Sequence, residues 1–421
     1  MEYQKRKKLE YKWVVIGVSA LVVCIALGFC SSTNSMYIKA ITQALGIKRS
    51  AFSLNNSFRF VATAIINLFF GTLIARFGAK KLISAGLICL ISSCLVYSFA
   101  TNIFGFYIGG ILIGLGFSWT TTTMVGYVVN KWCSENRGTI MGAVLATNGI
   151  GAAVATQILS PIINGTTFGY RLSYRLVAII LSVLFVIVMI FFKNKPQDEN
   201  ADKESVPKKK GRGQGWEGVE MSVIVKKKYF YVSLICVFFT GMVLHGINGI
   251  SAAHMYDVGI DDTYVAAVLS CHALALTAFK FLTGYVYDKR GLRFTANLCM
   301  ITTVVTFFLL SKVSETETGR ICAMVYGIFS SLALPLETIM LPIYASDLFG
   351  DKSFSKVLGL FVSVNTAGYA IGSPVSNLCY DITGNYNFAL YTSCIIMAFV
   401  IIGMNMVMTV ANRERKTIEN R

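Results

Sequence analysis

The chain has 421 residues, of which 55% are hydrophobic and only 14% charged, with a mean hydropathy of +0.62. A soluble protein of this length has no interior large enough to hide so much apolar surface, and about a quarter of its residues would ordinarily be charged. Soluble multidomain architectures are therefore excluded; the net charge of +17 raises nucleic acid as a partner, but the placement of the bases assigns them to a membrane.

About 20 apolar residues cross a bilayer as a helix. Twelve runs qualify, at 13–38, 50–74, 80–100, 103–129, 138–163, 172–192, 229–253, 262–286, 293–312, 319–345, 354–378 and 386–410. The first is longer than a signal-peptide core and has no small-x-small cleavage site, so it reads as a span. The second is polar along one face, where Ser53, Asn56, Arg59, Thr63 and Asn67 recur at three- or four-residue steps. Arg59 precedes Gly71 by twelve residues, roughly 18 Å of helix rise, which is too deep to snorkel. A charge at that depth costs about 2.5–3.5 kcal/mol on insertion scales and faces protein or water. Its guanidinium can clamp a carboxylate through two parallel hydrogen bonds, or tie two helices in an ion pair. In the fourth span, Gly110-x-x-x-Gly114 allows close helix packing, and Thr120–Thr123 is a candidate path lining. The fifth carries Asn148, a candidate substrate hydrogen bonder.

Residues 193–228 contain Lys208-Lys209-Lys210, Gly211, Gly213 and Gly215 amid mixed charges. They read as a flexible linker between an N-terminal half, 1–192, and a C-terminal half, 229–421. The basic run can also touch anionic lipid.

In the seventh span His245, Asn248, Ser251 and His254 follow at i+3 steps. The eighth carries His272, Thr277 and Lys280, the last only four residues before Gly284; Lys280 either contacts substrate or snorkels to the headgroups. His245 and His272 are candidate cavity residues, with a packing role as the alternative. Glu337 lies deep in the tenth span, ten residues before Asp347. It either pairs with a buried cation such as Arg59 or Lys280, or carries a proton, and is the candidate coupling residue. Asn365 and Tyr369 lie in the eleventh. The 11 Cys are scattered in apolar runs without metal-ligand spacing, so no disulfide, metal or cofactor is expected.

Most Lys and Arg fall on one side of this span pattern: Lys5–Lys12, Arg76/Lys80/Lys81, Lys131/Arg137, the linker, Lys289/Arg290/Arg293, Lys352/Lys356 and the tail. Lys39, Lys48, Arg49, Arg171, Arg175, Lys312 and Arg320 fall on the other. The positive-inside rule then places both termini and the linker in the cytoplasm, and accounts for the charge without nucleic acid.

The halves repeat. At constant spacing Gly46-Ile47 meets Gly259-Ile260, Arg59 meets His272, Asn67 meets Lys280, Gly71 meets Gly284 and Gly78 meets Gly291. Further along, Thr121 meets Thr338, Tyr127 meets Tyr344 and Asn148 meets Asn365. Repeated halves of this kind place substrate between them near the midplane.

The loop after the second span reads Gly71-x-x-x-Ala75-Arg76-Phe77-Gly78-Ala79-Lys80, and that after the eighth Gly284-x-x-x-Asp288-Lys289-Arg290-Gly291-Leu292-Arg293. Here the chain resembles the major facilitator superfamily, whose signature is G-x-x-x-D-[RK]-x-G-x-[RK]. The resemblance implies two pseudo-symmetric six-helix bundles of an all-α membrane protein, twelve transmembrane helices in all. It also assigns Gly71, Arg76, Gly78, Gly284, Asp288, Lys289, Gly291 and Arg293 to gating, the acid accepting from a neighbouring helix N-terminus. The first copy has Ala75 in place of the acid. A narrower likeness rests on Gly46–Ser53, Asp257-x-Gly259-Ile260, Gly372-Ser373-Pro374 and Asp381–Tyr386. These look like the monocarboxylate transporter and oxalate:formate antiporter branch, which implies a cation contacting anionic substrate in the eighth span, here Lys280.

The resulting expectation is a monomeric secondary transporter in a bacterial-type plasma membrane. It moves small organic anions by alternating access, as proton symport or anion exchange, with Arg59, Lys280, Asn148, Asn365, His245 and His272 as binding candidates. A proton-coupled drug exporter and a non-transporting metabolite receptor are the competing readings. An enzyme is not expected, since no nucleophile–base or metal constellation is visible, and no G-x-x-x-x-G-K-[ST] occurs for nucleotide. A reporter fused after Phe192 is expected to read out in the cytoplasm; an external readout would overturn the whole span assignment.

Overall fold

The computed structural model describes residues 2–47, 49–133, 135–194, 216 and 218–419. The body of the linker, 195–215, and residue 217 lie outside these. No strand occurs among the described residues. In hydrocarbon every backbone N–H and C=O needs a partner from the same chain, and a helix supplies it within one segment.

The helices run α1 (Glu2–Leu27), a π-helical turn (Gly28–Ser32), α2 (Asn34–Leu45), α3 (Arg49–Leu68), α4 (Phe70–Phe99), α5 (Ile103–Thr120), α6 (Thr122–Trp132), α7 (Arg137–Gly165) and α8 (Gly169–Phe191). The second series is α9 (Met221–Ile224), α10 (Lys228–Asp257), α11 (Asp262–Arg290), α12 (Leu292–Leu310), α13 (Glu317–Phe329), a 3-10 turn (Ser330–Leu332), α14 (Pro335–Thr338), α15 (Met340–Phe349), α16 (Phe354–Thr383) and α17 (Asn387–Glu419). Among the described residues, 11 segments are long and apolar enough to cross a membrane. The expected second span is not one of them. The segment expected at 50–74 divides at Phe69 between α3 and the start of α4, and Asn56, Arg59, Thr63 and Asn67 lower the apolarity of α3.

The loops expected around residues 75–80 and 288–293 contract to a single left-handed residue each, Gly78 at φ 75° and Gly291 at φ 83°. A side chain at either position would be strained. Buried apolar residues form two cores. One joins Val15, Phe29, Tyr37, Leu87, Phe106 and Leu181 of the first helices. The other joins Phe230, Leu244, Phe307, Phe349 and Phe361 and extends onto Val125, Met141 and Leu145 of α6 and α7.

That extension marks where the two helix series meet, at the end of the bundle where α1 begins and α17 ends. The approach is backbone to backbone. A Cβ on Gly138 would lie 2.6 Å from the Gly284 carbonyl oxygen, one on Gly142 2.4 Å from that of Lys280, and one on Gly359 2.4 Å from that of Asn67. Gly71 likewise packs on the backbone of Lys356. Asp288 accepts from Gly138 N (3.1 Å), Thr139 N (2.7 Å) and Thr139 Oγ1 (2.6 Å) at the start of α7. The complete motif copy thus caps a helix across the interface, where free N–H groups and the helix dipole favour a carboxylate. Asn130 and Arg137 add a second link, Asn130 Nδ2 donating to Asp351 (3.0 Å) and Arg137 donating to Asn130 Oδ1 (2.6 Å).

The turn carrying Asp351 is held from behind by the last residues of the linker. Val219 N donates to the Phe349 carbonyl (3.3 Å), Asp351 N to that of Trp216 (3.4 Å) and Ser353 Oγ to that of Val219 (2.6 Å). Lys352 and Glu220 pair at 2.8 Å. At its other end the linker is anchored through Asn194, whose Oδ1 accepts from Lys80 N (2.8 Å) beside the Gly78 turn.

Asp347, just beyond the tenth span, accepts from the Tyr287 hydroxyl (2.9 and 3.0 Å). Burial pushes its carboxyl up from 3.8 to about 6, against the opposing pull of Tyr287, Arg415 and Arg137. The folded chain therefore holds this proton more tightly than the unfolded one. Ionised Asp347 costs stability at neutral pH, and the cost is relieved as pH falls from about 6 toward 4. Asp347→Asn is expected to raise the Tm at neutral pH and to flatten the stability gain on acidification, followed by thermal unfolding in detergent.

Candidate functional site

Two spans are interrupted at equivalent depths. Thr121 separates α5 from α6 with φ −118° and ψ −140°, its Oγ1 donating to the Phe117 carbonyl (2.7 Å). The span expected at 319–345 breaks into α13, the 3-10 turn, α14 and α15. Pro335 lacks an N–H and opens α14 at its first turn, the position where a helix tolerates that loss, so it favours a new helix start here. Thr121 and Thr338, matched by the sequence repeat, sit at these two breaks. Interrupted helices in corresponding positions of two halves mark a site between them.

A cavity of about 170 Å³ lies there. Helix α3 contributes Arg59, Phe60, Thr63 and Asn67; the α5–α6 break contributes Phe117, Ser118 and Thr121–Thr123; α14 contributes Glu337 and Thr338; α16 contributes Val362, Asn365, Thr366 and Tyr369. Leu27 and Ser31, in the α1 region with the π-helical turn, complete the wall.

Arg59 is half-buried, and its position follows from α3. Thr63 Oγ1 donates to the Arg59 carbonyl (2.9 Å) and to that of Gly114 (3.0 Å), fixing α3 against α5. A Cβ on Gly114 would lie 2.4 Å from the Arg59 carbonyl oxygen, so only glycine allows this approach. The guanidinium carbon rests 4.6 Å from the centre of the Phe60 ring and 5.7 Å from that of Phe117. Aromatic faces stabilise a desolvated cation without using its hydrogen-bond donors. Among the described residues no carboxylate lies within ion-pair distance of it.

On the facing side Glu337 is 8% exposed, and its Oε1 has no hydrogen-bond partner among the described residues. Tyr369 is the hydroxyl that interacts with its carboxyl. The Tyr369 ring stacks on His245 at 4.8 Å, and His245 meets the edge of Phe60 at 5.2 Å. Arg59, Phe60, His245, Tyr369 and Glu337 thus form one continuous file across the interface.

Of the residues expected from the sequence, Arg59, Asn365 and Glu337 line the cavity, and His245 stacks on its wall. Asn365 spends its amide on the Val237 carbonyl (3.1 Å). Asn148 on α7 and Lys280 on α11 are not among the lining residues. Lys280 is 7% exposed, covered where Gly142 brings α7 onto its backbone. His272 is turned to the α13 end, its Nδ1 facing the Gly327 carbonyl (3.0 Å) and Ser330 Oγ (3.2 Å). The interrupted helix frees that carbonyl, and the imidazole meets it. His254 is buried with Nε2 at the Leu310 carbonyl (3.0 Å). Polar repeat partners therefore do not share an environment. Arg59 and Asn67 face the cavity, while His272 and Lys280 serve helix contacts.

Phe60, Phe117, Thr338 and Thr366 were not singled out from the sequence. The repeat match of Thr338 to Thr121 was a usable signal; Phe60 and Phe117 carried none, since a phenylalanine beside an apolar run is ordinary.

The family model of the Major Facilitator Superfamily matches residues 19–251 and 233–421. The chain is 23% identical to Monocarboxylate transporter 2 of Homo sapiens, covering 91% of this chain and 82% of that one. It is 21% identical to Sialic acid transporter NanX of Escherichia coli, covering 86% of each. Among solved structures, the transporter FucP in the outward conformation superposes with a TM-score of 0.72 at 14% identity, over 94% of this chain and 99% of that one.

His272→Leu tests the packing role given to this side chain. Losing the ring nitrogen leaves the Gly327 carbonyl without that partner, at a cost of about 1–3 kcal/mol in stability. Ligand affinity of the folded fraction is expected to be unchanged. Loss of affinity at intact stability would return His272 to the binding site.

Proposed function

The chain belongs to the Major Facilitator Superfamily, and from that premise we propose that it moves small organic anions, mono- or dicarboxylates, by alternating access. Membership makes it a multi-pass membrane transporter and not an enzyme. The observation that carries the anion reading is Arg59, a guanidinium in a cavity between the halves with no carboxylate in ion-pair range among the described residues. A carboxylate entering the cavity supplies the missing charge with two parallel hydrogen bonds. The relatives named for monocarboxylates and for sialic acid agree with such a cargo.

The orientation follows from the basic residues: termini and linker in the cytoplasm of a bacterial-type plasma membrane, with halves 1–192 and 229–421 rocking about the site as a monomer. In that orientation the closed end, held by Asp288, Asn130 and Arg137, is cytoplasmic, and the cavity belongs to an outward-facing state. Parting α7 from α11 at Gly138 and Gly142 uncovers Lys280, which then meets the anion on its inward path. Glu337 is the proton carrier if transport is symport; its unpartnered Oε1 and its place in the same cavity support this role.

Arg59→Ala is expected to abolish carboxylate-induced thermal stabilisation of the purified protein. Arg59→Lys keeps the charge and loses the fork, weakening binding by about 1–3 kcal/mol. If Arg59→Ala folds by gel filtration and binds its anion unchanged, Arg59 is a helix tie and the proposal fails. Glu337→Gln is expected to remove pH-driven accumulation in proteoliposomes while leaving exchange measurable; equal loss of both would assign Glu337 to structure.

A further inference from the structure

The walls of the cavity carry more chemical information than the single cation. Most of their donors are already spent inside the protein. Ser118 Oγ donates to the Gly114 carbonyl (3.1 Å), Thr121 Oγ1 to that of Phe117 (2.7 Å) and Thr123 Oγ1 to Asn67 Oδ1 (3.4 Å). Thr63 and Asn365 are committed in the same way, to the carbonyls of Gly114 and Val237. A hydroxyl that has given its proton to a carbonyl still offers lone pairs. The lining around Arg59 is therefore mainly a set of acceptors, joined by the Glu337 carboxyl. Ser31, Thr122 and Thr366 complete it; none of these hydroxyls has a hydrogen bond among the described residues, so each can act in either sense.

A bare alkyl carboxylate matches this wall badly. It brings acceptors only, satisfies Arg59, and leaves the remaining oxygens to lose their water without gaining a donor, which is the costly case for a polar group. We propose that the cavity selects a hydroxylated carboxylate, an acid whose carbons carry alcohol groups; this rests on the anion reading above. The carboxylate pairs with Arg59. Its hydroxyls donate to the threonine and serine oxygens and to Glu337, and accept in turn from Thr122 and Thr366. Phe60, Phe117 and Val362 cover its carbon faces. The acceptors are spread over α3, the α5–α6 break, α14 and α16 rather than gathered at one point. That spread fits several hydroxyls along a carbon chain better than the three clustered donors of an ammonium, and so favours a hydroxy acid over an amino acid.

The test is a titration of the purified full-length protein with acids matched in carbon number. Propionate, lactate and glycerate carry none, one and two hydroxyls on three carbons; hexanoate and gluconate form a longer pair. Affinity is expected to rise along the first series, by about tenfold or more from propionate to glycerate, because a site built to bond a hydroxyl rejects the analogue that lacks it. The double variant Thr122→Val/Thr366→Val, checked for folding by gel filtration, is expected to collapse the glycerate-to-propionate ratio toward one. Propionate and hexanoate binding as tightly as their hydroxylated partners overturns the proposal and leaves the anion reading standing. Alanine or serine binding more tightly than lactate or glycerate overturns it in favour of a zwitterion. If no acid binds at either length, bare or hydroxylated, the anion reading falls and this inference falls with it.

Discussion

A guanidinium buried among apolar helices has to be accounted for, and the architecture around Arg59 is the account. The cation is tolerated because two aromatic rings cover it and a polar cavity hydrates it. The cavity lies where two of its lining spans break. The breaks at Thr121 and around Pro335 provide the room, and local threonine and serine hydrogen bonds satisfy the backbone they expose. Removing the need to accommodate Arg59 would leave the polar face of α3, the paired interruptions and the buried Glu337 without a common cause.

The proposed alternating access adds a second requirement, that the halves come apart and close again. Backbone approaches closely at glycines, Gly138 and Gly142 against α11 and Gly71 and Gly359 between α4, α16 and α3. Such contacts are dense and leave no side chain to shear at the glycines themselves. Directional bonds between the halves cluster at the rim, where Asp288 meets the start of α7 and Asn130 meets Asp351, with Ser363 Oγ donating to the Ala64 carbonyl (2.6 Å) further in.

Much of this was legible in the sequence because charge and glycine are conspicuous in apolar runs. Arg59 and Glu337 stood out by depth, and the Asp288 motif by its two-fold recurrence; the structure places the first two in one cavity and gives the third the helix-capping bonds expected of it. Lys280 and His272 were equally conspicuous, yet they lie against neighbouring helices. Periodicity says which residues share a face, not how the helix is rotated or what covers it, and repeat equivalence does not carry that information either. Phe60 and Phe117 were invisible for the opposite reason: their chemistry is common and only their position is special.

The anchoring of the linker has a mechanical consequence. Its ends are not the ends of α8 and α10. One is bonded through Asn194 beside the Gly78 turn, and the other through Trp216–Val219 to the turn carrying Asp351. The stretch between them has a contour length of roughly 70 Å. Tension on it, from a bound surface or a shortened sequence, would be delivered to two turns at the closed rim. In that geometry the linker works as a pair of reins on the gate rather than as a strap around the halves.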